Sequence, residues 1–216
     1  MPVRARLLLA VAVVAALGGC RSKGEIVVDE GVGISSVRGT CPAVGIPDYT
    51  GDMTLFRSAA STDAADLDVV AAMTNLRSTC NDQAEKVYAS VTFDVLARRT
   101  DTRGARQVTI PYFVTVLRGG SAVVSKRIGS VTVNFADGQE RASAQGTGSA
   151  YIDRAEATLA EDVRQRITRK RRAGDADAAV DPLSDPEVRA AVTRATFEVL
   201  VGFQLSQNQL SYNVTR

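Results

Sequence analysis

Three groups of side chains in this sequence sit close enough together to act jointly. Asp63, Asp66 and Asp68 form one set of carboxylates, and Asp175, Asp177 and Asp181 form another. Either set could gather oxygen ligands around a calcium ion, or supply the acid and the base of a glycoside hydrolase. Neither follows the spacing of a calcium-binding loop, and both fall in stretches that read as solvated connections, so surface charge is the plainer reading. The third group is cationic. Arg164, Arg166, Arg169, Lys170, Arg171 and Arg172 lie within nine positions at the end of a helical stretch. Such a run offsets the negative end of a helix and pairs with the aspartates that follow it. That is the plainer reading; contact with lipid phosphates or an acidic partner is the functional one.

Other chemistry is excluded by residue type. The chain has no histidine, which removes Ser-His-Asp and Cys-His catalysis and most zinc sites. Ser125-Lys126 suggests a Ser-Lys nucleophile, but neighbours on a strand point to opposite faces. Gly146-Thr147-Gly148 lacks both the lysine and the strand–loop–helix setting of a phosphate loop. The sequence therefore predicts no catalytic residue, no metal site and no cofactor.

The amino-terminal residues give an address. Met1–Arg6 is short and basic, Leu7–Leu17 is an unbroken apolar run, and Gly18-Gly19-Cys20 follows. Positive charge, apolar core and small residues make up a secretory signal over residues 1–19. The apolar run is shorter than the roughly 20 residues that cross a bilayer. Leu17-Gly18-Gly19-Cys20 resembles the lipobox of bacterial lipoproteins. That resemblance implies cleavage before Cys20, a diacylglyceryl group on its thiol and acylation of the new amino terminus. Several chains on one residue hold far better than one, since each buried CH₂ contributes about 0.8 kcal/mol. Residues 20–24 would be the lipidated end and a short tether. Arg21-Ser22 lacks the aspartate that retains enteric lipoproteins at the inner membrane, so the resemblance points to the outer membrane, facing the periplasm.

Charge and cysteine content agree with that address. The chain has 26 Lys plus Arg against 24 Asp plus Glu. Loss of the signal would take Arg4 and Arg6 and no acid, leaving equal numbers of each sign. A balanced domain lacks the basic excess of a nucleic-acid binder. With Cys20 lipidated, Cys41 and Cys80 remain as an even pair in an oxidising compartment. A disulfide closing about 40 residues would stabilise by roughly 3–4 kcal/mol; two buried free thiols are the alternative.

The elements come next. Glu25–Val37 carries Ile26, Val27, Val28, Val32 and Ile34 and predicts a first strand or two. Cys41–Asp52 reads as loop, Met53–Phe56 as a short strand and Ala59–Asp66 as a surface connection. Period-two alternation then predicts strands over Leu67–Cys80, Val87–Ala97, Val108–Leu117 and Val123–Phe135, and Arg141–Ile152, small and threonine- or serine-bearing, could pair as a further strand. Turn signals at Asn81-Asp82, Gly119-Gly120 and Asp137-Gly138 separate them. Ala155–Lys170, with Leu159, Val163 and Ile167 at spacing four, predicts an amphipathic helix. Ser184-Asp185-Pro186-Glu187 starts a second helix that runs to about Arg194. Thr196–Leu205 is a near-continuous apolar strand, expected to be central in its sheet. Ser206–Arg216 reads as a polar tail from which Leu210 and Tyr212 can pack back.

Together these give a mainly β chain over residues 25–216. The expected fold is an antiparallel β-sandwich, immunoglobulin-like in a broad sense, with a two-helix insertion at about 153–195 before the last strand. Val199–Leu205 with Gln209–Asn213 resembles alphaproteobacterial envelope lipoproteins of uncharacterised activity, a resemblance that covers the last third. Asn213-Val214-Thr215 fits a glycosylation sequon, which has no bearing on an ordinary bacterial lipoprotein. The reading that results is a non-enzymatic interaction or structural module anchored in the envelope, with a protein partner there. A lipid- or amphiphile-binding or assembly protein is the alternative, and an Asp/Glu-dependent envelope hydrolase the third.

Overall fold

Alternation in sequence becomes alternation in burial along the central strands. In Lys86–Arg99 the side chains of Val87, Ala89, Val91, Phe93, Val95 and Ala97 are buried, and those between them are wholly or partly exposed. That is the pattern of a strand with one face on a core. The computed structural model describes residues 39–58 and 61–216. The signal, Cys20 and the strand expected over Glu25–Val37 lie outside the described residues.

Eight strands occur among the described residues: β1 (Ala43–Gly45), β2 (Asp52–Phe56), β3 (Leu67–Asn81), β4 (Lys86–Arg99), β5 (Arg106–Arg118), β6 (Ala122–Phe135), β7 (Arg141–Asp153) and β8 (Phe197–Phe203). They form two four-stranded sheets, ordered β1-β8-β5-β6 and β2-β3-β4-β7. The inner faces make one core, in which Phe93, Ile110, Val133, Phe135, Val199 and Phe203 are fully or almost fully buried. The chain is thus a mainly β sandwich with a helical insertion before its last strand, as the sequence predicts. β8 has a strand on each side, and five of its seven residues are buried with the other two half-buried, which explains why its apolar run is nearly continuous.

Three boundaries differ from the expectation, each for a local reason. The stretch expected as loop after Cys41 contains β1, which pairs in parallel with β8, Val44 opposite Val199. Three residues between prolines are too few to show a period, so tertiary pairing alone defines this strand. The helix expected over Ala155–Lys170 is broken into α1 (Arg154–Ala157) and α2 (Glu161–Thr168). Thr158 takes an extended conformation between them and donates through Oγ1 to the carbonyl of Arg154. The break carries Leu159 onto a small second cluster, where Val163 and Ile167 meet Val188 and Val192 of α3 (Pro186–Ala195). Finally, the polar tail is a helix, α4 (Gln207–Thr215), started by a reciprocal cap between Ser206 and Gln209. Its Tyr212 packs edge-on against Phe56, centroids 5.2 Å apart.

The second helix of the insertion starts where the sequence predicts. Asp185 accepts from the N–H of Glu187 at 2.8 Å, with Pro186 in the first turn. Lys170–Val180 belongs to a separate compact unit and is built from turns, such as the bond from the Asp175 N–H to the Arg172 carbonyl. Cys41 and Cys80 are joined, with Cα atoms 6.0 Å apart. The disulfide ties the approach to β1, in one sheet, to β3 in the other.

Candidate functional site

β6 and β7 are consecutive, yet they belong to different sheets, and the site arises from that. A turn over residues 136–140 joins them, and it is held by Arg99, a residue only 1% exposed. Arg99 donates through Nε to the carbonyl of Gln139, through Nη1 to Gly104 and through Nη2 to Thr102 and Ala136, each at 2.8 Å. Near this turn the sheets close on each other and Val131, Val133 and Phe135 are buried.

Farther along, the inward positions of β7 are unusually small: Ala142, Ala144, Gly146, Gly148 and Ala150. The large side chains come from opposite strands. A Cβ on Gly146 would meet the Phe93 ring at 2.2 Å, and one on Gly148 would meet Val114 at 2.6 Å. Tyr112 crosses between the sheets, and its hydroxyl donates to the carbonyl of Thr147. Gly129 of β6 leaves room for the Tyr112 ring, which a Cβ there would meet at 2.6 Å.

Beyond Tyr112 the two edges part. Among the described residues β6 pairs only with β5, and β7 only with β4. Every residue from Ala122 to Ile128 is exposed, including Val123 at 64%, Val124 at 54% and Ile128 at 58%. The opening is a cleft of about 470 Å³ with Val114, Val116 and Ala150 as its floor. Ser125 and Ser149 contribute hydroxyls, and Lys86, Arg127 and Tyr151 stand around it. Neither Lys86 nor Arg127 is ion-paired among the described residues. Lys126, on the other face of β6, lies 5.0 Å from the centroid of Phe113. Tyr151 packs against Tyr88 with centroids 4.9 Å apart, and both rings remain accessible.

Of the residues singled out from sequence, Ser125 lines this cleft, whereas the two carboxylate sets and the cationic run do not. Asp68 lies in β3 rather than in a loop, and Arg106 grips it with two bonds of 2.6 Å. Those bonds, with the charges of Arg106 and Arg57, hold its carboxyl below the usual range despite some burial. Asp63 and Asp66 flank and end a short turn, Ala64–Asp66. Asp175 accepts the Arg172 N–H, and Asp181 caps the turn at Pro182–Ser184. Among the described residues no group of three or more His, Cys, Asp or Glu could hold a metal ion.

The cationic run is largely occupied within the protein. Glu161 binds Arg164 through two bonds of 2.6 and 2.7 Å, and Arg166 faces Asp185 at 3.6 Å. The helix stops at Thr168, so Arg169 caps it and Lys170, Arg171 and Arg172 lie past its end. Arg171 is buried and pairs with Asp177 at 3.5 Å. Ser125 and Lys126 alternate across β6, as their spacing predicts. Asn213 of the sequon is buried, and its amide donates to the carbonyls of Tyr49 and Asp52.

Other hollows lie elsewhere among the described residues. One of about 400 Å³ lies between the helical insertion and the sheet, against Leu159, Ile167, Val192 and Phe197, with Arg164 beside it. Another, about 710 Å³, is a shallow depression over Val70, Ala72 and Leu96 on the outside of the second sheet. No family model, curated protein or solved structure matches the chain. Sequence reasoning missed the cleft. Its one legible sign was the run of Ala and Gly at alternate positions of 142–150, opposite a strand carrying Tyr112 and Val114.

Proposed function

We propose that this chain is a lipid-anchored protein of the bacterial envelope, held through Cys20 at the outer membrane and facing the periplasm. Its sandwich serves there as a non-enzymatic interaction module for another envelope protein. The address rests on Leu17-Gly18-Gly19-Cys20 at the close of a signal-like segment. The interaction role rests on one observation: among the described residues, the Ala122–Ile128 stretch of β6 is unpaired on its outer edge and exposes three branched apolar side chains. Globular proteins usually blunt such an edge, and one left open suits strand addition by a partner. Crosslinking in cells, followed by purification of the C-terminally tagged protein and mass spectrometry of bound proteins and lipids, tests both parts. A mature amino terminus at an acylated Cys20, and one dominant envelope protein lost when β6 is altered, support the reading. An unprocessed amino terminus overturns the address, and the absence of any protein partner overturns the role.

A second reading, binding of a lipid or other amphiphile, is favoured by the hollow of about 400 Å³ under the helical insertion, a size suited to a small ligand. Arg164 is already neutralised by Glu161 there, which weakens the case for an anionic headgroup. Stoichiometric lipid in the purified protein, abolished by Val192→Trp, would favour this reading over the first.

A further inference from the structure

Resting on the interaction-module reading, we infer that the cleft between β6 and β7 receives an extended, acidic segment of a partner polypeptide, added as a strand along the edge of β6. Four features of the cleft define that occupant.

The first is hydrogen bonding. Along Ala122–Ile128 the groups that β5 does not use face no other strand among the described residues. An extended chain can pair with them residue by residue, whereas an acyl chain would leave them unmet. The β7 side is partly spoken for, because Tyr112 already donates to the Thr147 carbonyl. Pairing therefore belongs to β6.

The second is charge. Lys86 and Arg127 stand at the mouth, Lys126 follows on the outer face, and among the described residues no carboxylate lines the cleft. The acidic groups close in sequence to the lining are Glu85 and Asp153. Asp153 is engaged in capping α1, where it accepts from the Ala155 N–H at 2.9 Å. Carboxylates on the incoming strand would meet cations on both faces of β6.

The third is shape. The floor is apolar, and the residue that β7 contributes to it, Ala150, is small beside Val114 and Val116. The recess suits a branched apolar side chain pointing inward from the added strand. Tyr151, 56% exposed at the rim, offers the kind of amphipathic ring that anchors protein interfaces.

The fourth excludes a second copy of this chain. Antiparallel pairing of β6 with another β6 centred on this region would bring Lys126-Arg127 against the same residues. Like charges across a strand pair are destabilising.

The full chain in detergent, titrated with two capped nine-residue peptides, tests the inference: one alternates valine with glutamate, the other valine with lysine. The glutamate peptide should bind and shift the amide signals of Ser125–Gly129, and the lysine peptide should not. The double variant Lys86→Glu, Arg127→Glu should weaken the glutamate peptide by about tenfold or more and gain affinity for the lysine peptide. A gain shows that the variant is folded. Equal binding of both peptides, shifts confined to residues away from β6 and β7, or a dimer crosslinked through Ser125 each overturn the proposal. If neither peptide binds while crosslinks from another face still capture an envelope protein in cells, this inference falls and the interaction-module reading stands.

Discussion

Arg106 and Asp68 join the two sheets of the sandwich. Arg106 opens β5 of one sheet, Asp68 lies near the start of β3 of the other, and two parallel N–H···O bonds of 2.6 Å connect them. Paired bonds of this kind fix geometry as well as supply attraction. Asp68 is mostly shielded while Arg106 is 40% exposed on its side chain, so the pair contributes only modestly, about 1 kcal/mol.

A pH dependence follows from this pair. The Asp68 carboxyl titrates below its unfolded value of 3.8, chiefly because Arg106 bonds to its charged form. A group depressed in the folded state contributes fully above its unfolded pKa, and the contribution is lost as pH falls through the folded pKa. Urea unfolding of the natural chain should therefore show extra loss of stability below about pH 4. Asp68→Asn should be less stable near neutrality and lose less on acidification. Parallel pH curves for the two would disprove this role.

The disulfide should matter more than any single ion pair. Cys41 and Cys80 are 39 residues apart, and closing a loop of that length restricts the unfolded chain by about 4 kcal/mol on the chain-entropy model. Cys41→Ser with Cys80→Ser, or reduction, should shift the urea midpoint by a corresponding amount. Because the bridge holds the approach to β1, amide exchange in Ala43–Gly45 should rise before exchange in β4 does.

Arg99 gives a different kind of test. Its guanidinium has four backbone carbonyls and no carboxylate, and its charge lies 5.2 Å from the centroid of Phe135. Arg99→Met would keep much of the volume but leave those carbonyls without donors. A buried group left unmet costs about 1–3 kcal/mol, so a total loss of about 3–5 kcal/mol is expected by thermal or urea unfolding. Arg99→Lys should also fail to restore stability, because a compact ammonium cannot reproduce the planar fork.

The contrast between what sequence conveyed and what it hid is physical. β4, β5 and the end of β6 were legible because one face is buried, and burial imposes a period of two. The start of α3 was legible because Asp185 and Pro186 act locally. β1 was invisible because three residues hold no period and its pairing with β8 spans most of the chain. The break at Thr158 was hidden because spacing four continues through it, while the competing bond to Arg154 is a local choice that the pattern does not record. The cap of α4 was present as Ser206 and Gln209, yet its polar surroundings masked it. The cleft was hidden for a stronger reason. It depends on where two sequence neighbours separate into different sheets, and no local pattern encodes that separation.

The small face of β7 can be tested by a double-mutant cycle. Gly146→Ala places a methyl into the Phe93 ring, and overpacking of a filled core costs about 1–3 kcal/mol. Phe93→Leu alone should also destabilise, by loss of buried surface. The double variant should be more stable than the sum of the two predicts, with a coupling of about 1 kcal/mol or more. Strict additivity in urea unfolding would mean that the two strands have room to adjust independently.

The closing helix should be held by one side chain above all. Asn213 is buried on α4, and its amide donates at 2.8 Å to both Tyr49 and Asp52, where Tyr49 has a positive φ of 64°. That conformation is uncommon outside glycine, so the Asn213 bond supports a turn that its own sequence does not favour. Asn213→Ala should strand two carbonyls and cost about 2 kcal/mol, whereas Ser206→Ala, which removes only the cap, should cost about 1 kcal/mol. Amide exchange separates the two effects. Asn213→Ala should raise exchange both in α4 and across Thr50–Asp52, and Ser206→Ala should raise it only in the first turn of α4. Equal protection of Thr50–Asp52 in both variants would show that the turn before β2 stands without the helix.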